Sequence, residues 1–295
     1  MTRGPTRGPT RVIKLGGRVQ REPHLSGALA AAWRAHPRAL CVVHGGGDEV
    51  TAVQRRLGHE PTFRGGRRVT TPEDIEVLRM VLSGAANKRL VAALVGQGVD
   101  AVGLSGEDAT LIAAHHTADH TLGAVGTPVS INVALLRYLL AGGYLPVLSP
   151  LARHTPRLTT MDERPGTDTL DVALDVALNL NGDDAAAAIA AALSADELLL
   201  VADVPGVLVD GQPRQTLDAD AARDLLQHGA AGGGMAAKLE AALDALRRGV
   251  ARVRIGGLAA ITDLTCGTTI TPVTPVTPVT PIGRRARAST SRAET

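Results

Sequence analysis

Arg11-Val12-Ile13-Lys14-Leu15-Gly16-Gly17 is a short apolar strand that runs straight into a glycine turn. Ala39-Leu40-Cys41-Val42-Val43-His44-Gly45-Gly46-Gly47 repeats the pattern, its apolar run short enough to be a strand buried on both faces. Working outward, a helix is expected from about Ser26 to Ala35 between them, and another after Gly45–Gly47 that runs through Leu57. Thr71-Pro72 opens a long helix, with Thr71 as cap, Pro72 at the first helical position and Glu73 and Asp74 favouring the positive end of the dipole. Buried strands are expected at Val99–Leu104, Tyr144–Leu148, Glu197–Ala202 and Ala251–Ile255. Helices fall at Asn132–Ala141, Asp183–Leu193, Ala219–His228 and Met235–Arg248. Strands alternating with helices of this length predict a mostly parallel sheet covered on both faces. Ligands in such sheets gather beyond the carboxyl ends of the strands, which is where both glycine turns lie.

Composition narrows the function. With 44% hydrophobic residues among 295, the chain can bury a sizeable core, yet Trp33, Phe63, Tyr138 and Tyr144 are its only aromatics. So few stacking rings argue against a nucleic-acid platform. Residues 1–11 carry three arginines, and residues 271–295 carry a net three positive charges. The whole-chain charge of +2 therefore leaves the body near −4, with no basic face. No apolar run reaches the roughly 18 residues of a membrane span, and Met1–Thr10 has no apolar signal segment, so a cytoplasmic protein is expected. Cys41 and Cys266 read as two buried thiols in a reducing compartment.

Two segments do not fit an economical fold. Leu151–Ala177, with Pro156, Pro165 and a near-repeat from Leu170 to Leu178, reads as an extended loop with one short helix. The Thr-Pro-Val repeats after Ile270 read as extended or disordered. Ala109–Val129 alternates weakly, as a hairpin or lid would.

The chemistry lies in four sparse elements: Lys14-Leu15-Gly16-Gly17, His44-Gly45-Gly46-Gly47, Asn179-Leu180-Asn181-Gly182-Asp183 and Gly233-Gly234-Met235-Ala236-Ala237-Lys238. Glycine turns let backbone N–H groups approach phosphate oxygens, and a lysine beside such a nest is costly to keep without an anion. Neither turn fits the P-loop or dinucleotide-binding patterns. Asp183 at a helix start suits an N-cap as well as a ligand role. Lys238, one turn into a helix, opposes the dipole, so it serves a ligand or is simply solvated. Asp203-Val204-Pro205-Gly206-Val207 is a turn at the sheet's carboxyl edge, where a nucleotide contact is possible. His115, His116 and His120 are expected on a solvated hairpin rather than around a metal.

Together with Gly66-Arg67-Arg68-Val69-Thr70, Gly84-Ala85-Ala86-Asn87-Lys88, Gly143-Tyr144-Leu145-Pro146-Val147 and Gly267-Thr268-Thr269-Ile270, these elements make the chain resemble the amino-acid kinase family from about Val12 to Ile270. The resemblance implies an open three-layer αβα sandwich with two lobes. Residues 12–178 would bind the acyl-amino acid and dimerise, and residues 179–270 would bind ATP, with disordered segments at 1–11 and 271–295. It implies phosphorylation of the side-chain carboxylate of N-acetyl-L-glutamate by ATP, with Mg²⁺ held mainly by the phosphates and no metal site in the protein.

Residue by residue, Lys14 and Lys238 would hold the moving phosphoryl group and Asp183 would orient both. Gly16, Gly17, Gly45 and Gly46 would donate N–H groups to the phosphates and the acceptor. Arg68 would fork onto the substrate α-carboxylate, Asn179 would contact the same substrate, and Asp203 would lie beside the nucleotide. A carboxylate is already ionised at neutral pH, so the reaction needs charge stabilisation rather than a general base.

Gly182-Asp183 stands where Ala-Asp is commoner, and Leu151–Leu178 is longer than the usual connector. Arginine-regulated members carry an N-terminal helix that Met1–Thr10 cannot form, so a homodimer without arginine inhibition is expected. Two rivals remain at this point: a kinase of carrier-bound aminoadipate or glutamate, which predicts a basic rim at Arg64, Arg67 and Arg68, and a non-catalytic amino-acid-sensing module.

Overall fold

Six apolar segments pair side by side as parallel strands because each is too uniformly hydrophobic to leave a face in water. In the computed structural model, which describes residues 9–156, 177–229 and 231–272, the chain begins with β1 (Arg11–Leu15), α1 (Leu25–Ala35), β2 (Leu40–His44) and α2 (Gly47–Arg56). The short strands β3 (Phe63–Arg64) and β4 (Arg67–Arg68) form a hairpin. Then come α3 (Pro72–Leu78) and α4 (Asn87–Gly96), β5 (Ala101–Ser105), β6 (Ile112–His116), β7 (Gly126–Ile131), α5 (Val133–Ala141), β8 (Leu145–Ser149) and β9 (Leu151–His154). The second half holds β10 (Ala177–Asn179), α6 (Gly182–Leu193), β11 (Glu197–Val201), the hairpin β12 (Leu208–Val209) and β13 (Gln212–Pro213), β14 (Thr216–Asp218), α7 (Ala219–Gln227), α8 (Gly233–Arg247), β15 (Arg252–Gly256) and β16 (Thr268–Thr271).

Eight strands form one open sheet in the order β14-β16-β15-β11-β1-β2-β8-β5, parallel throughout except where β15 meets β16. Alternate residues of each strand feed two separate cores. Val12, Val43, Leu198 and Val253 pack beneath α2, α3, α6 and α8, while Ile13, Val42, Leu199 and Val201 pack beneath α1 and α4. This is the expected three-layer αβα sandwich. Five of the seven alanines of α6, Ala185 to Ala188 and Ala190, are buried, and their small size lets the helix lie close over the sheet.

Thr71 caps α3 with Pro72 in its first turn, as the sequence predicts, and Asp74 does more than favour the dipole: it closes a reciprocal capping box with Thr71. The long helix is not regular, however. Between α3 and α4 the residues Arg79–Ala86 widen into π-helical turns that bring Leu82 against Gly46.

Ala109–Val129 does form a hairpin, β6 against β7, within a second sheet of order β10-β9-β6-β7. The loop expected over Leu151–Ala177 begins instead with β9, which pairs antiparallel with β10. Residues 157–176, with the near-repeat and the expected short helix, lie outside the described residues, as do 1–8 and most of the Thr-Pro-Val tail. β1 starts at Arg11, inside the segment expected to be disordered, and β16 ends at Thr271. The boundary expected at 178/179 falls within β10, and both halves of the chain contribute to the one large sheet. Cys41 is buried but Cys266 is only half-buried, which corrects the expectation of two buried thiols.

Candidate active site

β11, β1 and β2 are adjacent and parallel, with Leu15 level with both Val201 and His44. Register alone therefore brings together the turns that leave the three carboxyl ends: Gly16-Gly17, Gly45-Gly46-Gly47 and Asp203 onward. Lys14, the penultimate residue of β1, reaches Asp183, its Nζ lying 2.7 Å from Oδ1. Lys238, from the second turn of α8, donates to Oδ2 of the same carboxylate at 3.2 Å. Asp183 is buried, and it does not serve as the helix cap: Asn181 does, accepting from the Asp183 N–H at 2.8 Å. That frees the Asp183 side chain to face the lysines. Burial pushes the Asp183 pKa up, but Lys14 and Lys238 more than offset this and hold it below the ordinary carboxylate value. Burial, with Lys14 nearby, lowers the Lys238 pKa even though Asp183 opposes the shift. Two cations around one buried anion leave a centre with positive charge to spare, which a polyanion can use.

The glycine donors differ from those expected. Gly16 donates its N–H to the Val201 carbonyl and Gly45 to that of Leu15, both at 3.0 Å, so neither has a proton for a ligand. The N–H groups of Gly17, Gly46 and Gly47 have no hydrogen-bond partner among the described residues, and the three backbones approach one another closely. Gly46 sits at φ 153° with Leu82 Cδ2 only 2.7 Å from where a Cβ would be, so only glycine fits there without strain. His44 braces the turn. Its Nδ1–H donates to the Gly45 carbonyl at 2.9 Å and its Nε2 accepts from Asn87 Nδ2 at 3.1 Å, a tautomer required because a carbonyl can only accept. Desolvation lowers the His44 pKa to about 4, so it is a neutral prop rather than an acid or base at pH 7.

Two cavities meet at this centre. One, about 420 Å³, is lined by Lys14, Gly16, Gly17, Arg18, Asp203 and Lys238 among others. The other, about 270 Å³, shares Lys14, Gly17, Gly47 and Gly234 with the first and adds Gly45, Gly46, Arg68, Asn179 and Asp183, with Val50, Leu78 and Leu82 as an apolar wall. Arg68 is buried and held by Gln54, by the Gly47 carbonyl at 2.9 Å and by Thr51 Oγ1 at 2.8 Å, its guanidinium over the Phe63 ring at 4.8 Å. Three of its five N–H donors are thereby committed and two remain. Asn179 donates to Thr70 Oγ1 at 3.0 Å. Asp203 is exposed and paired with Arg18 at 2.8 Å.

The family model described as the amino acid kinase family matches residues 9–257. The chain belongs to the amino acid kinase family. Among its relatives, the acetylglutamate kinase of Chloroflexus aurantiacus is 41% identical over 254 residues, covering 85% of this chain and 93% of that protein. The acetylglutamate kinase of Ruegeria pomeroyi is 43% identical over 248 residues, covering 83% and 80%. Similar solved structures include smu.665 from Streptococcus mutans UA159, with TM-score 0.73 and 25% identity over 89% of this chain and 98% of that one. N-acetylglutamate synthase from Neisseria gonorrhoeae, complexed with coenzyme A and N-acetyl-glutamate, has TM-score 0.70 and 26% identity over 90% and 60%. Giardia carbamate kinase, at 14% identity and TM-score 0.61, shares the fold.

All the residues singled out from the sequence for this family's chemistry line the two cavities. Reading the sequence missed Arg18, although a charged residue directly after a glycine turn was a usable signal. It also missed Thr51 and Gln54, which hold Arg68 from one turn of α2 and carry no mark in sequence. His115, His116, His120 and His154 line a separate cavity of about 330 Å³ at the carboxyl ends of β6 and β9. Among the described residues, no group of three His, Cys, Asp or Glu side chains is placed to hold a metal ion, and no helix is long and apolar enough to cross a membrane.

Proposed function

We propose that this chain transfers the γ-phosphoryl group of ATP to the side-chain carboxylate of N-acetyl-L-glutamate, forming N-acetyl-L-glutamyl 5-phosphate, the second step of arginine biosynthesis. The observation that carries the reading is Asp183 joining Lys14 and Lys238 at the seam of two cavities, one fit for a donor and one for an acceptor. The acetylglutamate kinases at 41% and 43% identity support the choice of acceptor.

In this reading ATP occupies the larger cavity, with Asp203 and Arg18 at its mouth. The acyl-amino acid occupies the smaller one, its α-carboxylate on the free N–H groups of Arg68, its acetyl group toward Val50, Leu78 and Leu82, and Asn179 alongside. A carboxylate oxygen attacks the γ-phosphorus while the bond to the β-phosphate oxygen breaks, and ADP leaves with the electron pair. No proton has to move. Lys14 and Lys238 neutralise the oxygens between the two anions, and the Gly17, Gly46 and Gly47 N–H groups hold the same charge from the backbone. Mg²⁺ would screen the triphosphate. The chain offers it the cavity-lining carboxylates Asp48 and Asp203, both shared with Arg18, so the phosphates are its main ligands. Both halves of the chain line each cavity, so the acceptor lobe at 12–178 and the nucleotide lobe at 179–270 share the centre, and the protein acts as a cytoplasmic homodimer.

The carrier-bound alternative needs a free basic rim. Arg67 is instead paired with Asp184 and Arg68 is turned into the cavity wall, which leaves Arg64. A sensing module has no need of two lysines on one buried aspartate. The purified protein with ATP, Mg²⁺ and free acetylglutamate should form an acyl-phosphate, trapped by hydroxylamine as the hydroxamate. Binding without hydroxamate would leave the sensing module standing, and hydroxamate only from carrier-bound substrate would leave the carrier kinase.

A further inference from the structure

We propose that the Arg67–Asp184 ion pair is a clasp that closes the β3–β4 hairpin over the acceptor cavity and so sets affinity for the acyl-amino acid. The inference rests on the reading of that cavity as the acceptor site. β3 and β4 are two residues each, joined through Gly65 and Gly66, and Phe63 and Arg64 are exposed. A hairpin this short has little stability of its own and stays in place only through what it is tied to. Its inner strand ends in Arg68, the buried guanidinium of the acceptor cavity, so the position of the hairpin is the position of that cation.

Arg67 Nη2 donates to Asp184 Oδ2 at 2.8 Å across 117 residues of chain. Both side chains are largely shielded, 32% and 26% exposed, unlike the open Arg55–Glu60 pair on the surface. Asp184 follows Asp183 in the first turn of α6, so the clasp fastens the strand that carries Arg68 to the turn that carries the lysine-bridging aspartate. A second tie lies close by, where Thr70 donates to the Arg68 carbonyl and accepts from Asn179. Arg67 also lines the acceptor cavity and Asp184 does not, but both lysines pair with Asp183 and neither with Asp184, which sets the ion pair outside the phosphoryl-transfer centre and makes Asp184 a positioning residue.

The test compares Arg67→Met, Asp184→Asn, the double variant and Arg67→Lys in full-length protein. The clasp predicts a three- to tenfold higher KM for acetylglutamate in either single variant, with kcat and the KM for ATP within twofold of the parent. The double variant should be no worse than the singles, because both remove one interaction, and Arg67→Lys should recover part of the loss. In the unliganded protein, amide exchange across residues 63–70 should speed up in each single variant. Additive losses, an equal rise in both KM values, or unchanged exchange would overturn the clasp. Absence of hydroxamate from the parent enzyme would sink the proposed reaction instead, and the exchange measurement would still decide the clasp.

Discussion

Asp183 is worth more than its charge because it is shared. Replacing it with asparagine keeps the shape but leaves Lys14 and Lys238 without the anion that holds them together. The expected result for Asp183→Asn is a kcat loss of about 10²–10³, typical of removing one electrostatic stabiliser from a preorganised site. KM for ATP should change by far less, and steady-state kinetics with both substrates varied would show it. Gly46 makes a different demand. An alanine there meets Leu82 and adopts a backbone conformation that costs about 1–3 kcal/mol for a residue with a Cβ. Gly46→Ala should therefore lower stability by that order in a denaturant melt and weaken phosphate binding with it, because the Gly46 N–H is one of the unpartnered donors.

At the scale of the element, the end of β2 is held by a neutral histidine. His44 is buried with a pKa lowered to about 4, against an ordinary value near 6.5 in the unfolded chain. Between those values the unfolded state takes up a proton that the folded state refuses. Stability from this group is therefore complete above pH 6.5 and is lost as pH falls toward 4, at up to about 1.4 kcal/mol per pH unit. Urea melts at pH 7 and pH 5 should show a drop of roughly 2 kcal/mol, and a His44→Asn variant should lack that slope whatever its absolute stability. The helix that supplies Asn87 to His44 shows where sequence reading stops. The long helix opened by Thr71-Pro72 was legible, but the π-helical turns at Arg79–Ala86 were not. They depend on how Leu82 and its neighbours pack against the Gly46 turn, a contact between segments far apart in the chain.

Across the whole molecule, the amino ends of the central strands, at the opposite end of the sheet from the site, hold a second charged cluster. Arg11 Nε lies 2.6 Å from Glu197 Oε2 and Arg254 Nε lies 2.5 Å from Oε1. Arg254 also donates to the carbonyls of Ala260, Asp263 and Cys266. Burial pushes the Glu197 pKa up, but Arg254 and Arg11 outweigh it and hold it down. Its contribution to stability is present above the ordinary glutamate pKa and is lost as pH falls through the lower folded value. Glu197→Gln would strand two buried cations. Stability should fall by about 3–5 kcal/mol by equilibrium unfolding, while kcat and both KM values of the folded enzyme stay within twofold, since the cluster sits at the amino ends of β1 and β11. A kcat loss as large as that of Asp183→Asn would contradict this separation of fold and site.

The sequence by itself determined the layers and where the chemistry had to lie. Uniformly apolar strands must be covered on both faces, and glycine turns at their carboxyl ends leave backbone donors near Lys14 and Asp203. Asp183 as the partner of both lysines followed from the family resemblance rather than from spacing. Only the tertiary structure decided which donors are free. Gly16 and Gly45 resemble Gly17 and Gly46 as letters, yet hydrogen bonds to Val201 and Leu15 consume the first pair and leave the second, together with Gly47. It also decided that Asn181, and not Asp183, caps α6, and that Arg67 turns to Asp184 rather than outward. Each of these is a choice between partners made across the fold, where distance in space rather than distance along the chain sets the energy.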